Sequence, residues 1–236
     1  MSYFLDLHCH TSASFDCLAS PESQVKAAAA RGLTHLAITD HDRIDGALRA
    51  RDAAPDGLTV LVGEEIKTAD GDLIAVFLEQ AVPPGMPARE TIEVVREQGG
   101  MVGIPHPFDT FRGSMLVDPR LEAMGGLVDW VETHNARVVG GRGNERAAAF
   151  ALELGLPGVA VSDAHSTLEV GVAYSVVETD PSTPDGLRAA LAELELVPGR
   201  ATYFVRALTP VSKLVNRLRG NRRVAASTRI AGQPHE

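Results

Sequence analysis

Histidines and acidic residues recur where short apolar stretches of this chain end. His8 and His10 follow the first stretch, Asp16 lies in the loop after it, and later stretches end near Asp40 with His41, Glu65, His106, His134, and Asp163 with His165. Imidazole and carboxylate together suit Zn, Mn or Fe. A zinc ion takes about four ligands, so this set is large enough for two or three ions. Paired ions can clamp the attacking and leaving oxygens of a displacement at phosphorus. The pattern therefore predicts metal-assisted phosphoryl chemistry.

The elements that must position these donors alternate along the chain. Apolar stretches typical of strands cover residues 3–10, 36–40, 59–66, 73–78, 101–106, 128–133 and 158–163. Helix-like segments separate most of them, and Ser20-Pro21 and Ser182-Thr183-Pro184 are typical helix starts. This order predicts βα units and a parallel sheet that closes, or nearly closes, into a barrel. Barrel active sites form at the C-terminal ends of the strands, where the candidate ligands would converge.

Composition excludes several classes of protein. The chain has 236 residues, of which 44% are hydrophobic and 22% charged, and a formal net charge of −9. An acidic protein is not a general binder of duplex DNA, because phosphate contacts dominate that affinity. No apolar run approaches the roughly 20 residues of a membrane span, and the N-terminus lacks the blocks of a signal peptide. With only two cysteines, a cytoplasmic location is expected.

Five motifs occur in the order that is typical of one enzyme family. They are His8-Cys9-His10 with Asp16, Thr39-Asp40-His41, Gly63-Glu64-Glu65, His106-Pro107 and Ser162-Asp163-Ala164-His165. In this order they resemble the PHP (polymerase and histidinol phosphatase) superfamily of metal-dependent phosphoesterases. The resemblance runs from about residue 4 to 175. It implies an α/β fold, a distorted (β/α)7 barrel with the metal site at the C-terminal ends of the strands.

The resemblance also implies a trinuclear metal site, and two or three Mn, Fe or Zn ions are expected. By family roles, one ion is held by His8, His10, Glu65 and Asp163, and another by Asp16, His41 and His165. Glu65 bridges to a middle ion that His106 also holds. The remaining ligand of that ion is either Asp72, which follows the Asp70-Gly71 turn, or His134, and the sequence leaves both open. Only 40 residues separate Glu65 from His106, room for a hairpin-like strand and one helix but not for an inserted domain.

The expected catalytic residues are His41, His165 and Asp163. A metal-bridging hydroxide is expected to attack phosphorus, and His41 or His165 to give a proton to the leaving group. Loss of Asp163 is expected to remove both metal and activity. The candidate substrate-binding residues are Arg137, Asn135, Arg112 and Ser12, since an arginine fork after a strand end suits a phosphate.

The charge divides the chain unevenly. Residues 206–236 carry a net charge of +6 and residues 1–205 one of −15. We therefore expect a PHP phosphoesterase domain at 1–205 and a basic amphipathic helix with a flexible tail at 206–236. Val211, Leu214, Val215 and Leu218 form an apolar stripe at helical spacing. We expect this stripe to pack on the barrel; docking on RNA or on an anionic membrane is the alternative.

The sequence favours a phosphoesterase acting on a small nucleotide, such as a nucleoside 3′,5′-bisphosphate, or on the 5′ end of short RNA. One alternative is a phosphatase of a small metabolite such as histidinol phosphate. Another is a non-catalytic PHP domain that binds metal, against which the nearly complete motifs argue. The sequence does not indicate an oligomeric state.

Overall fold

The computed structural model describes residues 1–109, 126–138 and 142–223. Nine strands and six helices lie within these ranges. The strands are β1 (Tyr3–Asp6), β2 (His35–Ile38), β3 (Thr59–Lys67), β4 (Asp72–Val76), β5 (Met101–Ile104), β6 (Trp130–Asn135), β7 (Gly158–Val161), β8 (Tyr174–Val177) and β9 (Leu194–Val197). The helices are α1 (Pro21–Ala30), α2 (Asp45–Asp52), α3 (Ala88–Glu97), α4 (Gly143–Leu154), α5 (Pro184–Ala192) and α6 (Tyr203–Leu218).

The strands form one sheet in the order β7-β6-β5-β4-β3-β2-β1-β8-β9. Strands β1, β2 and β3 pair in parallel, and so do β5, β6 and β7. Strand β7 returns to the other end of the sheet, where Ala160 N donates to Ser175 Oγ at 3.1 Å and Ser162 N donates to Asp6 Oδ1 at 3.0 Å. The sheet is therefore a nearly closed barrel, and the predicted fold class is confirmed.

Antiparallel pairing distorts this barrel. Strand β4 runs antiparallel to both β3 and β5 and, with α3, fills the interval between Glu65 and His106. This is the hairpin-like strand and single helix expected from the interval's length. Strands β8 and β9 form an antiparallel pair against β1, and the sequence analysis did not predict them.

The barrel interior is a continuous apolar cluster. Each strand from β1 to β7 contributes to it, and α5 adds Leu187 and Leu191. Strands β2, β4 and β5 are buried along their whole length, which explains their near-continuous apolar sequences. The predicted starts of α1 and α5 are confirmed, because Ser20 and Thr183 accept hydrogen bonds from the first turns of these helices.

Helix α6 lies on the barrel with its polar side inward. Asn216 is 3% exposed, and its amide donates to Ser14 O at 3.2 Å and to Cys17 O at 2.9 Å. In contrast, Leu214 is 60% exposed and Leu218 80% exposed. The expectation that the apolar stripe packs on the barrel is therefore wrong. The helix covers a loop rich in backbone carbonyls, which need donors rather than apolar groups.

Helix α6 begins at Tyr203, slightly before the predicted start at residue 206. Residues 224–236, where a flexible tail was expected, lie outside the described residues. Within the described ranges, none of the helices combines the length and apolar character that a bilayer crossing needs.

Candidate metal centre

The ends of four parallel strands and the middle of β3 bring the candidate ligands together. His8 and His10 follow β1, and His41 follows β2, while Glu65 lies within β3. His106 follows β5, and Asp163 and His165 follow β7. Backbone pairing beyond the strands holds these segments side by side, between Cys9 and Ala164 and between His41 and Glu65. The side chains consequently meet at the C-terminal edge of the barrel.

The first ligand group lies deepest. His8 Nε2 and His10 Nε2 each stand 3.3 Å from Glu65 Oε2. Asp163 Oδ1 lies 3.6 Å from the first nitrogen and 3.5 Å from the second. All four side chains are buried. Two imidazole nitrogens and two carboxylate oxygens therefore face one point, which is the donor set of a borderline divalent ion.

A second group adjoins it on the side of the loop after β1. Asp16 Oδ2 lies 3.4 Å from His41 Nε2 and 3.3 Å from His165 Nε2. Together with His10, these residues bring one donor atom each to within 4.8 Å of the others. His41 Nδ1 is 3.3 Å from Glu65 Oε2, so Glu65 stands between the two groups, as a bridging carboxylate must.

The residues expected around the middle ion divide differently. His106 Nε2 lies 3.6 Å from Glu65 Oε1, at the cluster. Asp72 is buried, and burial is the largest cause that raises the pKa of its carboxyl group. The negative charge of Glu65 is the second cause. His134 faces elsewhere, with Nε2 2.7 Å from the carbonyl oxygen of Gly199. Of the two alternatives left open by the sequence, Asp72 lies on the face of the β3–β4 pair that carries Glu65, since it pairs with Lys67, two residues beyond Glu65, whereas His134 faces Gly199.

The electrostatics of the cluster fit divalent cations. Asp16 Oδ1 is buried and has no hydrogen-bond partner among the described residues, which is costly for a carboxylate unless a cation is present. Burial opposes ionisation of Glu65, but His41 and its other imidazole neighbours hold the pKa of Glu65 well below its usual value. Burial, then Arg137, lowers the pKa of His165 to about 3, so its ring is neutral and able to ligate. The residues of these two groups therefore fit divalent metal ions.

Glu132 is a functional residue that the sequence analysis missed. Its Oε1 lies 2.6 Å from His8 Nδ1, and its Oε2 accepts from the backbone N of His106 at 3.0 Å. Asn135 Nδ2 bridges Glu132 Oε2 and Asp163 Oδ2, at 2.9 Å each. Such partners fix the orientation and tautomer of metal ligands. The available signal was that Glu132 is the one acid within β6 and directly follows the apolar pair Trp130 and Val131.

Asp40 organises the loop after β1 and is not a member of either ligand group. It accepts from Thr11 N at 2.6 Å, from Thr11 Oγ1 at 2.7 Å and from Ser14 Oγ at 2.8 Å. Gly46 of α2 lies against this carboxylate, and a Cβ there would overlap Asp40 Oδ2. The loop that presents Asp16 therefore depends on the close approach of α2.

The expected phosphate-binding role of Arg137 needs correction. Arg137 is buried, and its guanidinium donates to Glu169 Oε1 and to Thr209 Oγ1, at 2.6 Å each. Glu169 Oε2 in turn accepts from the backbone N of His165 at 3.1 Å. Arg137 thus supports the segment that carries His165 instead of facing a substrate. The sequence alone does not show whether an arginine that follows a strand faces the protein interior or the substrate site.

The other substrate candidates differ in position. Asn135 is committed to Glu132 and Asp163, as described above. Ser12 lies at the rim, where its carbonyl accepts from Asn221 at 3.2 Å. Arg112 lies outside the described residues.

Comparison with known proteins agrees with this geometry. The family model for the PHP domain matches residues 6–102, and the model described as PHP-associated matches residues 141–196. An uncharacterised protein of Methanocaldococcus jannaschii is 33% identical over 147 residues, which are 56% of this chain and 81% of that protein. A second uncharacterised protein of the same organism is 32% identical over 187 residues, which are 78% of this chain and 74% of that protein.

Relatives with named activities match shorter segments or the fold alone. A 5′-3′ exoribonuclease of Haemophilus influenzae is 45% identical over 64 residues, 27% of this chain and 23% of that enzyme. Among solved structures, a two-domain protein of Bacteroides vulgatus containing a predicted PHP-like metal-dependent phosphoesterase superposes with a TM-score of 0.71 at 19% identity. The match covers 84% of this chain and 65% of that one. The lesion-specific endonuclease of Pyrococcus furiosus superposes with a TM-score of 0.61 at 15% identity, over 83% of this chain and 58% of that one.

Proposed function

Since this chain belongs to the PHP family, whose solved neighbours include metal-dependent phosphoesterases, we propose that it hydrolyses a phosphate ester of a small nucleotide or of the 5′ end of short RNA. A nucleoside 3′,5′-bisphosphate is the simplest substrate of this kind. The hydrolytic part of the proposal is supported by the two adjoining ligand groups that share Glu65. The 5′-3′ exoribonuclease among the relatives supports the nucleotide part.

The residues of the cluster would bind two metal ions, and one of these residues, when it is not occupied by metal, would also donate a proton. His8, His10, Glu65 and Asp163 would hold one ion, and Asp16, His41 and His165 another. Bound ions supply a nucleophilic water at neutral pH and neutralise charge on the phosphate oxygens. The positive charge of the ions would also balance the negative charge of the surrounding carboxylates, to which the phosphate of the substrate adds further negative charge.

His41 suits the transfer of a proton to the leaving oxygen better than His165. His165 Nδ1 faces the carbonyl oxygen of Asp163 at 2.9 Å, so this nitrogen carries the ring's proton and leaves Nε2 with a lone pair. The ring nitrogens of His41 face the carboxylates of Asp16 and Glu65, at 3.4 and 3.3 Å, instead of a backbone carbonyl. A histidine whose ring nitrogen is not occupied by metal can give a proton to a leaving oxygen.

The single observation that favours a nucleotide is an aromatic ring at the rim of the cluster. The partly exposed ring of Phe15 lies 5.0 Å from the ring of His41, between centroids. Lys213 Nζ of α6 stands 5.3 Å from the centroid of Phe15. An aromatic platform with an adjacent cation is how proteins hold an unpaired base and its phosphate. A small metabolite without an aromatic ring has no use for this platform, whereas the imidazole of histidinol phosphate could stack on it, so the substrate panel below separates these two substrates.

The test is product analysis with manganese-loaded protein on three substrates in parallel. These are a nucleoside 3′,5′-bisphosphate, a 5′-phosphorylated short RNA and histidinol phosphate, with Asp163→Ala as the blank. We expect turnover of the nucleotide or RNA substrate and none by the blank. Turnover of histidinol phosphate alone would assign the protein to small-metabolite chemistry. An absence of hydrolysis with manganese, zinc or iron would favour a domain that only binds metal.

A variant of the platform tests the substrate class directly. Phe15→Leu is expected to raise KM for the nucleotide roughly tenfold or more at similar kcat, because stacking on an aromatic ring contributes about 1–3 kcal/mol per base. Phe108→Leu makes the same change at a buried phenylalanine that packs on Phe150, and it is the matched control for the loss of an aromatic ring. Equal KM values for wild type and Phe15→Leu would contradict recognition of a base.

A further inference from the structure

The segment after α6 reaches back across the loop that follows β1. Asn221 Nδ2 lies 3.2 Å from each of the carbonyl oxygens of Ser12, Ala13 and Ser14. Arg43 Nη1 donates to Asn221 Oδ1 at 3.5 Å from the other side. We call residues 219–223 the C-terminal arm. These contacts anchor the arm at the rim of the metal centre.

Arg223 extends from this anchored arm toward the acidic side of the cluster. Its Nε donates to Asp42 Oδ2 at 2.7 Å, and its Nη2 donates to Asp72 Oδ1 at 3.3 Å. The side chains of Asp42 and Asp72 are 0% and 3% exposed, and that of Arg223 is 23% exposed. A nearly buried guanidinium thus pairs with two buried carboxylates.

The position of Arg223 bears on the middle ion that the motifs imply. Of that ion's expected protein ligands, His134 points to Gly199 and Asp72 is paired with Arg223. Glu65 and His106 remain, and Glu65 already stands between the other two groups. These two residues supply fewer ligands than the roughly four that such an ion binds, and Glu65 is shared with the other two groups. Among the described residues, only two donor groups gather tightly enough for an ion, and Asp72 and His106 belong to neither.

The positive charge of Arg223 lies beside Asp72, the carboxylate that a third ion would bind. Burial works against the charged form of Arg223, but Asp72, Asp42 and then Glu65 outweigh it and raise its pKa. Conversely, Arg223 favours the ionised form of Asp72 against burial and the repulsion of Glu65. A fixed guanidinium is always charged and needs no metal supply.

We propose that this chain binds two divalent ions and that the Arg223 guanidinium supplies the third positive charge, beside Asp72. The inference rests on the proposed metal-dependent function and specifies the composition of its centre. It makes the C-terminal arm a part of the site. Arg223 is a positioning residue for Asp72, since it holds that carboxylate away from metal coordination.

Metal stoichiometry tests the proposal without reference to activity. Metal-free full-length protein is equilibrated by dialysis against a series of free Mn²⁺ concentrations, and bound Mn²⁺ per chain is measured by mass spectrometry of the metal. We expect two Mn²⁺ per wild-type chain. Arg223→Met frees Asp72, so a third Mn²⁺ should bind at least about tenfold more tightly than to wild type, because removing a charge so close to a carboxylate is a large electrostatic change.

Two further variants make the result specific. Arg222→Met removes the exposed neighbouring arginine and should leave the stoichiometry at two. The double variant Arg223→Met with Asp72→Asn should return from three to two, because the freed carboxylate is gone. Circular dichroism of each variant verifies that it is folded.

The outcomes separate this inference from the proposed function. Three Mn²⁺ per wild-type chain, or two per folded Arg223→Met chain, would overturn the inference while leaving a metal-dependent hydrolase intact. If Arg223→Met does not fold, Asp72→Asn alone decides: two ions support the inference, and the loss of an ion overturns it. No bound Mn²⁺, Zn²⁺ or Fe²⁺ in any folded chain would overturn both.

Discussion

At the scale of single residues, the hydrogen bond between Glu132 and His8 determines which imidazole nitrogen can bind metal. Glu132 Oε1 lies 2.6 Å from His8 Nδ1 and accepts its proton, so Nε2 is the nitrogen left to face an ion. Burial opposes the charged ring, but Glu132 and Asp163 raise the pKa of His8 well above its usual value, so an ion at Nε2 must displace a proton. The same carboxylate holds the backbone N of His106 and the amide of Asn135. One buried acid therefore orients two candidate ligands directly, His8 and His106, and a third, Asp163, through Asn135.

Glu132→Gln tests this arrangement. The amide cannot act as an anionic acceptor for all three donors, so we expect metal affinity to fall roughly 10- to 100-fold, the usual effect of losing such a partner. Competition between the protein and a fluorescent chelator measures the affinity. Glu195→Gln, on an exposed position of β9, is the control. Unchanged affinity in a folded Glu132→Gln protein would show that His8 is oriented without it.

The sequence was sufficient to predict the candidate ligands that the structure brings together, but not their partners. His8, His10, His41 and His165 could be predicted because strand ends and motif spacing are local features. Glu132 and His8 are 124 residues apart, and their contact exists only once β1 and β6 take their places in the barrel. Arg223 and Asp42 are 181 residues apart, so their contact could not be predicted from the sequence for the same reason.

At the scale of elements, α6 departs from the usual behaviour of an amphipathic helix. Its apolar stripe identifies one face in the sequence, but the barrel surface beneath the helix decides which face turns inward. That surface consists of the carbonyls of Ser14 and Cys17, which select the amide of Asn216. The exposed stripe of Leu208, Val211, Leu214 and Leu218 is the consequence.

Paired substitutions in α6 distinguish the two faces. Asn216→Ala removes the amide donor to Cys17 O and one of the two side-chain donors to Ser14 O, so we expect the free energy of unfolding to fall by about 1–3 kcal/mol. Leu214→Ala, at an exposed position of the same helix, should change it by no more than about 0.5 kcal/mol. Urea unfolding of both variants makes the comparison. A larger loss for Leu214→Ala than for Asn216→Ala would mean that the apolar face is covered in solution.

Elements with strong local signals were predicted, and those with weak signals were not. Strands β2 and β4 are fully buried apolar stretches that stand out in any reading of the sequence. Strands β8 and β9 have four residues each and are only partly buried: burial alternates along β8, and no residue of β9 is fully buried. Their pairing with β1 depends on the closure of the barrel rather than on their own sequence.

At the scale of the whole molecule, the metal centre joins segments from both ends of the sheet. Ligands follow β1, β2, β5 and β7, and Glu65 lies in β3, so an ion bound to them links nearly the entire barrel. An unfolded chain offers no such arrangement of donors. Metal binding is therefore expected to contribute directly to the free energy of folding.

Removal of the metal tests this coupling. At free Mn²⁺ about 1,000 times the dissociation constant, each independent site should add about 4 kcal/mol to the free energy of unfolding. Urea unfolding with Mn²⁺ and with a chelator gives the difference. Asp163→Ala should show a much smaller difference. Equal stability of the wild type under the two conditions would contradict a site built from native contacts.

The arm that returns to the first loop also sets the order in which the site is completed during protein synthesis. Asn221 follows Ser12 by 209 residues, so at 5–20 residues per second a ribosome takes roughly 10 to 40 s to proceed from one to the other. Arg223 follows Asp72 by 151 residues, so for roughly 8 to 30 s the nascent chain presents Asp72 without Arg223. The arm whose arginine pairs with Asp72 is therefore the last part of the site to be synthesised, after every candidate metal ligand.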